Sequence, residues 1–132
     1  MTTGKHEATA EVLARLDALD ALFTSIRQVV DRHDLERRKV LIDLRRRLGH
    51  CIGEIDHAGS ALFNGTVDES LFHRQLADLR YRLAHHQAEW PAVAIEDSEV
   101  YRASANAIIT FYEDFARWVR GRVPTVSSAA RK

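Results

Sequence analysis

VLIDLRRRLGHCIGEIDHAGSALF, residues 40–63, decides the fold. Leu41, Leu44, Leu48, Cys51, Ile55, Ala58 and Leu62 recur at steps of three and four. That is the spacing of one apolar stripe on an α-helix, and no strand period fits it. At about 100° per residue from Leu48, residues 41, 44, 52, 55 and 62 all fall within roughly 60°. The stretch therefore reads as a helix over roughly 35–63, closed by the turn pair Asn64-Gly65 with a left-handed glycine.

The same period continues on both sides. Val12, Leu16, Leu19, Phe23, Ile26 and Val30 mark a first helix over roughly 6–31. Asp31 to Asp34 form a polar break, with Asp34 as a candidate N-cap. Downstream, Thr66 and Glu69 have the spacing of a capping box. Phe72, Leu76, Leu79, Leu83, His86 and Trp90 then give a third helix over roughly 67–90, ended by Pro91. After a linker at 92–96, Asp97 or Ser98 can cap a fourth helix over roughly 98–121. Its inner face carries Tyr101, Ala105, Ile108, Tyr112, Phe115 and Val119, widened by Phe111 and Trp118. Residues 122–132 read as a frayed tail after Pro124. Four such helices with short connections predict an all-α, antiparallel up-down four-helix bundle that takes residues 1–132 as one domain.

Composition narrows the function. The chain has 132 residues, 19 Lys+Arg and 19 Asp+Glu, so its net charge is zero. That balance argues against a polybasic nucleic-acid surface. The arginines of Arg37-Arg38-Lys39 and Arg45-Arg46-Arg47 read as solvation and intrahelical pairing. No apolar run reaches the ~18 residues of a membrane span, and the opening residues have no secretory signal pattern. One cysteine, Cys51, permits no internal disulfide and fits a reducing, cytoplasmic setting. Its place on the inner stripe makes it a small hydrophobe rather than a nucleophile. Neither a Ser-His-Asp order nor a phosphate-cradling glycine loop is present, so the expectation is a non-enzyme with no catalytic residues.

Seven histidines are the feature that suggests metal. His50 with Glu54, and His85 with Glu89, share a helix face at i, i+4. Glu54 and His57 form an E-x-x-H spacing used by di-iron bundles. On the same wheel, however, His50, Glu54 and His57 fall about 180–240° from Leu48, on the outer side. His85 and Glu89 fall outward on the third helix as well. His86 alone lies on an inner stripe. A lone imidazole makes no metal site, so it is expected to be a buried polar group satisfied by a hydroxyl, such as that of Tyr101 or Tyr112, or by a backbone carbonyl. His33 sits where the first helix ends and would favour its dipole when protonated.

The arrangement resembles the hemerythrin-like (HHE) family. The likeness lies in His6 opening the first helix, His50-x-x-x-Glu54 on a Leu-rich second helix, and His73 opening the third. It continues with Trp90, Ile95 and Tyr101 leading into the fourth. The resemblance implies a bundle holding two irons by histidine and carboxylate, for dioxygen binding, iron handling or redox sensing. Carried over by position, the metal residues are His6, His50, Glu54 and His73. The sequence departs from the family pattern where Cys51 stands for an inner ligand histidine and Ile55 for a ligand glutamate. The fourth helix lacks histidine between Ile108 and Val119. The expectation is a binding or regulatory member with an incomplete iron site, and the first alternative is a genuine di-iron protein.

Histidine-phosphotransfer domains, also four-helix bundles, are the other alternative. His50 would be the phosphorylated residue, with Gly49 and Gly53 admitting a receiver and Arg46 and Arg47 facing the phosphate. The Lys and Gly that follow the histidine in that family are missing here. Phe111 and Trp118 exceed what the core needs and are candidates for a protein partner or a second copy of the chain.

Overall fold

The computed structural model describes residues 2–32, 34–91 and 99–130, with side chains for 4–32, 34–91 and 99–123. The elements are α1 (Thr2–Val30), α2 (Arg37–Phe63), α3 (Glu69–Glu89) and α4 (Glu99–Ala130), and the described residues contain no strand. Each helix packs on its two neighbours in the order α1, α2, α3, α4 and back to α1, as in a four-helix bundle.

Contacts between helix ends fix the antiparallel sense. Lys5 Nζ, at the start of α1, donates to the carbonyls of Ala61 (3.0 Å), Leu62 and Asn64 (3.3 Å) at the end of α2. A cation there complements the unpaired carbonyls of the helix C-terminus. At the opposite end, Arg102 of early α4 pairs with Asp31 at 2.7 Å, just past α1. Arg122 of late α4 lies 3.7 Å from Asp68, just before α3.

The stripes read from the sequence form the core. Every α2 stripe residue from Leu41 to Leu62 is buried, as are Val12, Leu16, Leu19, Phe23 and Val30 of α1. Phe63, Ile109 and Ala116, outside the predicted stripes, are buried too. Where α2 ends, Phe63 stacks on Phe72 (ring centroids 4.9 Å) and on Trp118 (5.6 Å), and Phe72 meets Phe115 at 6.0 Å. Gly59 makes this stack possible. A Cβ there would lie 2.7 and 2.8 Å from Phe72 Cε1 and Cε2, and closer still to Cζ.

Besides α1 opening at Thr2 rather than near residue 6, helix ends differ from the sequence reading in three places. Asp34 does not cap α2; Arg37 opens it after Glu36. Instead Asp34 Oδ1 accepts the Glu36 N–H at 3.1 Å and Oδ2 accepts from Arg32 Nε at 2.9 Å, which shapes the connecting turn. Thr66 does not open α3 either. Its hydroxyl donates to the Phe63 carbonyl at 2.7 Å, closing α2, while Glu69 Oε1 accepts the Gly65 N–H. Gly65 takes the left-handed φ of 77° expected after Asn64. Finally, α4 runs to Ala130 rather than ending near 121. Val119 and Val123 are still buried, so packing carries the helix beyond the expected end. The linker at 92–96 with Ile95, the caps Asp97 and Ser98, and His33 all lie outside the described residues.

Candidate functional site

The four metal candidates stay apart from the interior. His6 is exposed on α1. The His50 imidazole is 79% exposed, with Nε2 3.6 Å from Glu54 Oε1. Glu54 also faces Arg15 Nη1 at 3.5 Å. His73 Nδ1 lies 4.0 Å from Asp56 Oδ1, and Asp56 is already engaged by Arg80 (2.9 Å) and Ser60 (3.2 Å). His57 is exposed, and His85 and Glu89 meet at 3.7 Å on the surface. Among the described residues, no three His, Cys, Asp or Glu groups converge as a metal site would require.

Inner positions do not supply the missing ligands. Ile55 is completely buried hydrocarbon. Cys51 is buried, its Sγ donating to the Arg15 carbonyl at 3.3 Å. Burial, then the nearby Glu54 charge, pushes this thiol up, so it stays protonated at neutral pH. A pair of irons inside the bundle does not fit these residues.

His86 is buried, as its stripe position predicts. Its partner is a hydroxyl, as expected, but that of Ser104 rather than of either tyrosine: Nδ1 and Ser104 Oγ are hydrogen-bonded at 2.8 Å. Tyr101 contributes its ring, 5.4 Å from the imidazole. Tyr112 is spent elsewhere, its hydroxyl donating to Leu16 O (2.9 Å) and Asp20 Oδ1 (2.6 Å) on α1. Arg120 joins that seam through Asp20 at 2.8 Å. Burial, with the positive charge of Arg45 behind it, lowers the His86 pKa to about 4, so the imidazole is neutral at pH 7.

Arg45 is the residue that sequence reasoning misplaced. It is half-buried, its pKa lowered by desolvation, and it hydrogen-bonds the Tyr101 hydroxyl. The signal was present: on the α2 wheel it stands about 60° from Leu48, at the edge of the buried stripe. Reading the three arginines as one solvated cluster hid it.

The outer flank of α2 borders a groove of about 680 Å³ shared with α1. Ala18, Leu22, Leu44 and Cys51 line its apolar part; Arg15, Arg46, Arg47, His50 and Glu54 supply the charge. Asp43 holds both Arg46 (2.7 Å) and Arg47 (3.0 Å), so the rim is close to electrically balanced. Gly49 and Gly53 lie beside His50. A Cβ on Gly49 would meet nothing within 4 Å, and one on Gly53 only Arg80 Nη2 at 3.9 Å. Neither glycine is required for helix packing, unlike Gly59.

Phe111 and Trp118, the candidate partner residues, are partly buried against the chain's own core. Arg82 lies over the Phe111 ring at 4.4 Å and Arg122 over Trp118 at 5.5 Å. No helix of the described residues is long and apolar enough to cross a membrane. No protein family, curated protein or solved structure matches the chain.

Proposed function

We propose that the chain is a hemerythrin-like docking module with a regulatory role, acting by binding rather than by catalysis. The surface of α2 around His50 is its working face, and a cytoplasmic protein is its partner. The observation that carries this reading is the pair Gly49 and Gly53. A mid-helix glycine costs about 0.5–1 kcal/mol relative to alanine. Nothing among the described residues uses either vacancy. A flat strip that admits another backbone closely would use both. Gly121 of α4 is equally open, so openness alone marks no site. The two α2 glycines differ in flanking an exposed histidine beside an apolar groove.

The dispersed ligand set supports binding without a di-iron centre. Docking or self-association through Phe111 and Trp118 is less favoured, because arginines already cover those rings. Phosphotransfer through His50 is the second reading, favoured by the same glycines and by the imidazole's exposure. Phosphoramidate treatment separates it: a phosphohistidine signal lost in His50→Gln assigns the role to His50.

Gly49→Ala and Gly53→Ala test the main reading. Each is expected to raise unfolding free energy by about 0.5–1 kcal/mol in urea melts. A loss of stability in either variant would mean that the fold itself needs the glycine. Elemental analysis gives the second check, and two irons per chain would overturn the proposal.

A further inference from the structure

Lys5 fastens the opening turns of α1 to the end of α2 through three carbonyls at once, those of Ala61, Leu62 and Asn64. An ammonium carries three N–H donors, so one nitrogen serves all three acceptors; no guanidinium nitrogen carries more than two. The chain has three lysines, Lys5, Lys39 and Lys132, among 19 basic residues. Among the described residues, the lysine or arginine ion pairs between helices are all made by arginine, with carboxylates as partners. Lysine stands where the partners are carbonyls. The other described side chains of these turns turn to solvent: Gly4, His6 and Glu7 are exposed, and Ala8 is the first core residue. From Val12 onward α1 is anchored by Val12, Leu16 and Leu19, which have no exposed surface.

We infer that Lys5 is a site of Nε-acylation by a donor of the acyl phosphate class, and that the modification unfastens the opening turns of α1. Such a donor acylates an amine without an enzyme, so no second protein has to reach the end of the bundle. Held as an ammonium among carbonyls, Lys5 has no lone pair to offer. Reaction requires the side chain to swing out and release a proton to water. The amine nitrogen then attacks the acyl carbonyl and a C–N bond forms. The C–O bond to phosphate breaks, phosphate leaves with the bonding pair, and a second proton passes from nitrogen to water. The amide product is neutral and keeps one N–H, so it no longer serves three acceptors. Acylation therefore traps the open position and leaves the last carbonyls of α2 to solvent.

The inference rests on the fold alone and is independent of any docking partner. Its test is a time course of the intact protein with acetyl phosphate, read by peptide mass spectrometry, with the exposed Lys39 as internal reference. Lys5 should react to completion but about tenfold more slowly than Lys39, because it reacts only through local opening. The two rates should converge in denaturing urea. In the acetylated protein the amides of residues 6–10 should exchange about tenfold faster, while those from Leu16 to Phe23 keep their protection. Lys5→Gln should reproduce that change, and Lys39→Gln should not. Equal native rates at the two lysines, or a Lys5 still unmodified once Lys39 is consumed, would overturn the modification site. Unchanged exchange at residues 6–10 after acetylation would overturn the fastening role, and so would loss of protection along the whole of α1.

Discussion

Gly59→Ala is expected to destabilise the protein by about 1–3 kcal/mol, the typical cost of overpacking a tight core. The added methyl would overlap three carbons of the Phe72 ring. That ring has no exposed surface and is held between Phe63 and Phe115. It cannot turn away without breaking one of those contacts, so α2 and α3 must separate at this level. The intrinsic helix preference of alanine works in the other direction, by up to about 1 kcal/mol, and is outweighed. In thermal melts the midpoint should drop by roughly 5–15 °C for a domain of this size. Pairing the change with Phe72→Leu identifies the cause. The double variant should be more stable than the sum of the two single effects predicts, by about 1 kcal/mol or more, because the clash needs both groups. Gly59→Ala melting at or above the parent temperature would show that the ring relocates freely. The opposite sign expected at Gly49 and Gly53 makes the three glycines an internal control.

Acid should weaken the fold through His86 well before general acid denaturation. The folded imidazole titrates at about 4, against an ordinary 6.5 in the unfolded chain. Between those values the unfolded state binds the proton and the folded state does not. Stability is therefore complete above pH 6.5, falls as the pH drops, and has lost this contribution by pH 4. Full protonation corresponds to roughly 3 kcal/mol, to order of magnitude. The charge that opposes protonation is Arg45 from α2; α4 presents the uncharged Tyr101 and Ser104, and α1 presents Phe23 and Ile26. Carboxylates also titrate below pH 5, so the informative quantity is a difference. Urea unfolding at pH 7, 6, 5 and 4 should show the parent losing stability faster than His86→Gln. Parallel lines for the two proteins would remove His86 from the account.

The fold was legible because periodicity reports which side of a helix is buried, and that is a local property. The inner stripe of α2, the inward His86 and the outward His50 all follow from it. Partner identity is not local. Ser104 meets His86 only because α4 lies against α3, and no spacing within either helix announces it. The same holds for Gly59, whose missing side chain matters only once Phe72 arrives from α3. Caps failed for a related reason. Asp34 and Thr66 have the right chemistry for opening helices, but each found a competing bond in its own turn. The end of α4 was missed because burial of Val123 depends on the other helices. Arg45 was the one miss that geometry within α2 alone could have corrected.

The seam between α1 and α4 has a consequence for the order of assembly. Tyr112 reaches Asp20 across 92 residues and Arg120 reaches Asp17 across 103, whereas α1–α2 and α2–α3 are joined by short turns. Closing long loops costs more entropy than closing short ones and sets the slower steps of folding. A nascent chain can pair its first three helices as each is completed, but it holds an open trough until α4 returns to α1. Until then the apolar floor of the trough is exposed to solvent and to other chains. The last helix is thus the lid on the protein's own period of vulnerability, and the Tyr112–Asp20–Arg120 seam is its latch.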